Sequence, residues 1–166
     1  MTDTTARFAL PLLQPGQAQK ELYHNEALAA LDSGLHPVAE TSGEDVPPPS
    51  PDPGQSWIVG PAPTGDWSGR ANALATWTEG GWRILDPVEG MSVWIRADQF
   101  FARWNGSAWI LGEVIGESLK LSGQQVVGAR EEAIENVFGG VMVDAEARVA
   151  IAAILAALRG HGLIAT

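Results

Sequence analysis

Trp77-Thr78-Glu79-Gly80-Gly81-Trp82-Arg83-Ile84-Leu85 and Trp104-Asn105-Gly106-Ser107-Ala108-Trp109-Ile110-Leu111 are two versions of one pattern: a Trp-x4-Trp pair, a Gly-bearing centre and an apolar tail. Asn-Gly between β-forming flanks is the strongest short hairpin signal, because both turn positions then need φ > 0. Each stretch therefore predicts a tight β-hairpin with its two tryptophans facing one another across the strands. Such aromatic pairs add about 0.2–1 kcal/mol each to a ladder. All seven tryptophans of the chain lie between Trp57 and Trp109.

Around the hairpins, short β-type segments alternate with Gly and Pro turns: Trp57–Val59, Ala73–Trp77, Trp82–Leu85, Ser92–Arg96, Phe100–Trp104 and Trp109–Leu111. Regular spacing with turn signals predicts a small antiparallel Trp-rich barrel or sandwich over 55–115. Upstream, 1–40 reads as an extended segment at Phe8–Leu13 followed by a helix over Gln17–Leu31. Its apolar stripe is Leu22, Leu28, Leu31 and Leu35, Gly34 is its stop, and Asn25 breaks the stripe. Between them, 41–54 carries Val46-Pro-Pro-Pro-Ser-Pro-Asp-Pro-Gly54. Proline has no N–H for a sheet interior, so this stretch reads as an exposed linker.

Downstream, 116–166 reads as a connection and a C-terminal helix. Gln124–Gly128 is a candidate strand, and Arg130–Asn136 stays ambiguous between strand and helix. Asp144 fits an N-cap, Glu146 the first turn, and Gly160 and Gly162 the stop. Ala147, Ile151, Ile154 and Leu158 recur at spacings of four, three and four, a heptad-like seam. This seam either packs on its own chain or meets symmetry mates as an oligomer interface. The expected class is thus α+β: a β-domain flanked by an N-terminal helix and an amphipathic, Ala-rich C-terminal helix.

Composition narrows function. The chain of 166 residues carries 20 acidic and 10 basic side chains, a formal charge of −10. Clustered cations for a phosphate backbone are missing, so no nucleic-acid partner is expected. The longest apolar run, Val149–Leu158, is far shorter than the ~20 residues of a membrane span. A polar N-terminus without an apolar h-region points to synthesis in the cytoplasm. There is no cysteine, hence no disulfide or thiolate metal site.

Motifs for catalysis are absent from the sequence. Glu21-x-x-His24 matches half of a di-iron helix motif whose second half is missing. Asp66, Glu79, Asp86, Glu89 and Asp98 each sit beside Gly or Pro or in a turn, and nothing singles out two of them as a glycosidase pair. No catalytic, cofactor or metal residue is assigned. The tryptophans are mostly core, since the chain has only four Phe and one Tyr. One or two can still face outward, and Trp67, Trp94 and Trp104 are the candidates for glycan contact.

Leu10-Pro-Leu-Leu-Gln-Pro-Gly-Gln-Ala-Gln-Lys-Glu-Leu-Tyr-His-Asn-Glu-Ala-Leu28, Gly65-Asp-Trp-Ser-Gly69, Pro87-Val-Glu-Gly90 and the two Trp-x4-Trp stretches together resemble one family. It is the Trp-rich domain of otherwise unknown function in fibre and spike proteins of bacterial prophages and gene transfer agents. The match runs over Phe8–Gly112, and the C-terminal stretches Val126–Arg130, Asp144–Arg148 and Ala156–Ile164 are also similar. The resemblance implies a virion structural protein on a phage-like particle, made in the bacterial cytoplasm. A head spike base is the nearest member, linking capsid protein to a spike or fibre protein that attaches to cell-surface polysaccharide. It implies a homo-oligomer, a pentamer ahead of a trimer. A free-standing carbohydrate-binding module is the alternative, and a glycan-degrading enzyme ranks last.

Overall fold

Alternation along the strands builds two sheets with a core between them. The computed structural model describes residues 3–14, 16, 20–136, 138–139, 144–160 and 162–165. Its strands are β1 (Val38–Ala39), β2 (Ser42–Glu44), β3 (Ser56–Val59), β4 (Leu74–Thr78), β5 (Gly81–Leu85), β6 (Ser92–Ile95), β7 (Phe100–Trp104), β8 (Trp109–Leu111), β9 (Leu119–Leu121) and β10 (Gln124–Val127). The helices are α1 (Lys20–Gly34) and α2 (Ala145–Gly160). Two compact units result, Met1–Glu113 and Val114–Thr166.

In the first unit β2-β3-β4-β5 form one sheet and β1-β6-β7-β8 the other. The fold is α+β with a small sandwich, and no closed barrel forms among the described residues. Ile58 and Leu74 of one sheet and Val93, Ile95 and Ala102 of the other share a fully buried cluster with Ala39. The opposite parity of β3 and β4 puts Trp57, Val59 and Ala75 into a second cluster with Trp67. That cluster lies on the other face of its sheet. Six strands fall where alternation predicts them.

The two hairpins hold Trp77 opposite Trp82 and Trp104 opposite Trp109. The second turn differs from expectation. Gly106 has φ +96°, but Asn105 is not left-handed. Asn105 instead accepts hydrogen bonds on Oδ1 from the N–H groups of Ser107 and Ala108, at 2.9 and 2.8 Å. An Asx-type cap makes a longer loop where a two-residue turn was expected. The two-residue turn with φ > 0 at both positions is Ser122–Gly123, joining β9 to β10. In sequence, β9 reads as part of a connection.

Of the stretch expected as a linker, 41–54, residues 42–44 enter a sheet as β2, and together with β1 they make 38–45 a strap on the sandwich. β1 pairs in parallel with β6, and β2 pairs in parallel with β3. In between, the Glu40 N–H donates to Ser56 O at 2.7 Å while the Ala97 N–H donates to Glu40 O at 3.1 Å. The strap thus bonds to both sheets within a few residues. Asp45 continues it, accepting from the Thr64 N–H on its carbonyl and from the Ala62 N–H on its carboxylate. Only then does the proline run begin.

Helix α1 is also turned from the expected orientation. Leu22, Leu31 and Leu35 of the apolar stripe face solvent, and Tyr23 is 79% exposed. The helix docks through polar groups. Asn25, the residue that broke the stripe, pairs with both the N–H and the C=O of Leu13, at 2.9 and 3.0 Å. Asp32 is buried and accepts from Thr5, Arg7 and Phe8.

The second unit holds the β9–β10 hairpin and α2. The Asp144 carboxylate accepts from the Ala147 N–H at 2.8 Å, the expected N-cap. At the other end Gly162 has φ +71°, and Leu163 N–H bonds to Leu158 O at 3.0 Å, closing a Schellman motif. Arg130–Asn136 is neither helix nor strand, and Glu131 makes an isolated parallel bridge to Ile164.

Candidate functional site

Two surfaces qualify as sites. The first is a groove of about 430 Å³ in the first unit. One wall is the proline run, Pro47–Pro51, which follows directly from the strap. The facing wall is the β4–β5 hairpin, with Trp77 and Trp82, and Asp66 closes one end. Trp82 is held from three sides. Its ring meets Trp57 at 5.6 Å, Trp67 at 5.0 Å and Trp77 at 5.1 Å, all edge-on. Four indoles in mutual T-shaped or tilted contact make a stiff platform rather than a set of mobile rings. Asp66 is exposed in a 3-10 turn (Gly65–Trp67), and Trp77 and Trp82 are half-buried. No Lys or Arg lines the groove.

Of the three tryptophans expected to contact glycan, Trp67 is excluded. It is 0% exposed, wedged between Trp57 and Trp82, and has no face to offer. Its turn closes the outer face of the β2-β3-β4-β5 sheet, which would otherwise leave Trp57 in water. Trp94 is half-buried on the outer face of the other sheet, edge-on to the exposed Phe101 at 5.0 Å. Trp104 lies against Trp109 at 5.4 Å. Trp109 donates from its Nε1 to Asn72 O at 2.8 Å and packs on the main core. These positions are not brought together. Sequence reading missed Trp77, Trp82 and Asp66 as neighbours of the proline run, because nothing local shows that the run folds back onto the hairpin.

A second cavity, about 440 Å³, lies beneath the N-terminal segment and includes Asn25, Asp32 and Arg83. Asn25 and Asp32 there bond that segment, and Arg83 pairs with Glu26 at 2.7 Å. Among the described residues no cluster of His, Cys, Asp or Glu is arranged for a metal ion. No helix is long and apolar enough to cross a membrane among them.

The second surface is the seam of α2. Ala147 and Ile151 are exposed, Ile154 is 58% exposed, and Leu158 is half-buried. Within this helix Leu155 alone is buried, and Ile164 is buried beyond it. Leu155, which follows the seam residue Ile154, is thus the one that packs inward. The seam itself is left facing out.

The profile of a family described as a protein of unknown function, DUF2793, matches residues 24–110. That is more than half of the chain, which belongs to this family. No curated protein matches it.

Proposed function

We propose that this DUF2793 chain is a structural subunit of a phage-like particle, a gene transfer agent or prophage virion. In this reading it is a homo-oligomeric base or adaptor of a head spike or fibre. It decorates the capsid surface after synthesis in the bacterial cytoplasm. It joins capsid protein to the spike or fibre protein that attaches to cell-surface polysaccharide. It has no catalytic role, and neither nucleic acid nor membrane is a partner.

The observation that carries the reading is the outward seam of α2. A helix of this length is marginal in water alone and needs an apolar partner. Ile151 and Ile154 are exposed, so identical faces from other copies can cover them in a closed, symmetric bundle. Support for an adaptor comes from α1. An adaptor needs contacts beyond its oligomer seam, and the exposed apolar side chains of Leu22, Tyr23 and Leu31 on α1 and of Leu35 just after it are available for them. The resemblance of the motifs to spike and fibre proteins supports a role on a particle, by analogy. An icosahedral vertex favours a pentamer, and a fibre shaft a trimer.

The test is copy number. Particles carrying an epitope-tagged chain are purified on a gradient, and the tag is quantified against capsid protein. A fixed ratio that is a multiple of the oligomer supports the role. Absence of the tag from purified particles sinks it.

A further inference from the structure

We infer that the groove between Pro47–Pro51 and the Trp77–Trp82 hairpin binds neutral polysaccharide and discriminates against acidic polysaccharide. The inference adds a glycan contact of this chain's own to the adaptor role proposed above, and rests on that role only for the source of the glycan. Three observations carry it.

The first is the platform. Trp77 and Trp82 line the groove half-exposed, and Trp82 is fixed by Trp57 and Trp67. A sugar ring presents a face of C–H groups, which settles on an indole with little ordering cost when the indole is already held. The second is the facing wall. Proline has no N–H, so Pro47, Pro48, Pro49 and Pro51 bring backbone acceptors without donors. Asp66 adds a carboxylate, which accepts only. The side-chain donors that line it are Ser50 and the two indole N–H groups, so sugar hydroxyls, which both donate and accept, suit the mixture.

The third observation is charge. Asp66 lies in the groove, no cation lines it, and the whole chain carries a formal −10. A uronic or sialic acid would set its carboxylate against that of Asp66. A neutral hexose or N-acetylhexosamine meets no such repulsion. The volume, about 430 Å³, falls within the roughly 300–1,000 Å³ of small-molecule sites.

The test uses the full chain and ligand-observed saturation-transfer NMR. The probes are neutral oligomers of glucose, galactose and N-acetylglucosamine, and oligogalacturonate of matched length, at low ionic strength. We expect millimolar binding of at least one neutral oligomer, and binding of oligogalacturonate about tenfold weaker or undetectable. Ser50→Trp, which fills the groove from its exposed rim, should abolish neutral binding. Asp66→Asn should narrow the gap between neutral and acidic probes. Trp94→Ala, on the other sheet, should leave binding unchanged. Trp77→Ala removes half the platform, and Ser50→Trp keeps the test intact if that variant misfolds. Overturning results are no neutral binding by folded chain, equal binding of the acidic probe, or binding that survives Ser50→Trp. Oligomer mass is read on the same samples. An intact oligomer that binds no sugar overturns the groove alone, and a monomer that binds sugar overturns the assembly role alone.

Discussion

The carboxylate of Asp32 holds the backbone of Arg7, and the guanidinium of Arg7 holds the backbone of Asp32. Asp32 accepts from the Arg7 N–H at 3.0 Å, the Phe8 N–H at 2.7 Å and the Thr5 hydroxyl at 2.7 Å. Arg7 in turn donates to the carbonyls of Asp32, Ser33, Leu35 and His36. The first two are orphan carbonyls of the last turn of α1 and the other two lie just beyond it, where a cation also meets the helix dipole favourably. Burial lowers the Arg7 pKa, Asp32 counters that, and Arg96 adds to the lowering. The guanidinium stays charged all the same.

Asp32→Ala should therefore cost about 3 kcal/mol, since it strands two N–H groups and a hydroxyl near a buried position. Arg7→Lys should cost about 1 kcal/mol, because a point donor cannot reach several carbonyls at once. Urea unfolding followed by Trp fluorescence measures both. A loss below about 0.5 kcal/mol for Asp32→Ala would show that the N-terminal segment is not clamped.

Trp67→Ala should cost about 3–5 kcal/mol, because it empties the centre of the indole cluster. Trp67→Phe should cost clearly less. The Trp67 Nε1 is buried with no hydrogen-bond partner among the described residues, so losing it removes a liability. Equal melting temperatures for Trp67→Ala and wild type would refute the buried placement.

Residues 41–54 test the strap. A Cβ on Gly60 would overlap the Asp45 carboxylate and the Gly43 carbonyl. Gly60→Ala should lower the melting temperature by several degrees, a cost of about 1–3 kcal/mol. A protease specific for acidic residues should leave Glu44 and Asp45 intact in the native chain. Rapid cleavage there would restore the linker reading.

Gly106→Val strains a residue at φ +96°, although the nearest atoms to its Cβ, those of Glu89, lie 3.8 Å away or more. With space available, the cost is conformational, about 1–2 kcal/mol. Gly116→Val, which meets nothing and has no positive φ, is the control and should be neutral. Identical stability of the two variants would count against the turn.

Much of this fold was legible, for physical reasons that also mark where legibility ends. The β-type composition of Ser56–Val59 or Phe100–Trp104 between turn residues reports a strand directly, and the Trp-x4-Trp spacing reports the hairpins. The strands Val38–Ala39 and Ser42–Glu44 are too short to alternate, and Gly43 and the prolines hide them. The stripe of α1 misled because its docking face is polar: Asn25 and Asp32 bind backbone, which no hydrophobic pattern reveals. Composition said that most tryptophans are core. It could not say that Trp67 is the fully enclosed one, since that depends on a turn folding over a sheet. The groove needed the proline run placed in space. The N-cap at Asp144 and the stop at Gly162 were readable because capping is local.

The central claim is that α2 assembles copies of this chain, and sedimentation mass on the purified chain and Ile154→Asp tests it most directly. Ile154 is 58% exposed in the single chain, so a charge there costs little until a neighbour covers it. The account predicts an oligomeric wild type, a pentamer ahead of a trimer, and a monomeric Ile154→Asp that keeps its β-sheet spectrum. A monomeric wild type, or a variant that retains the full oligomer mass, would contradict it.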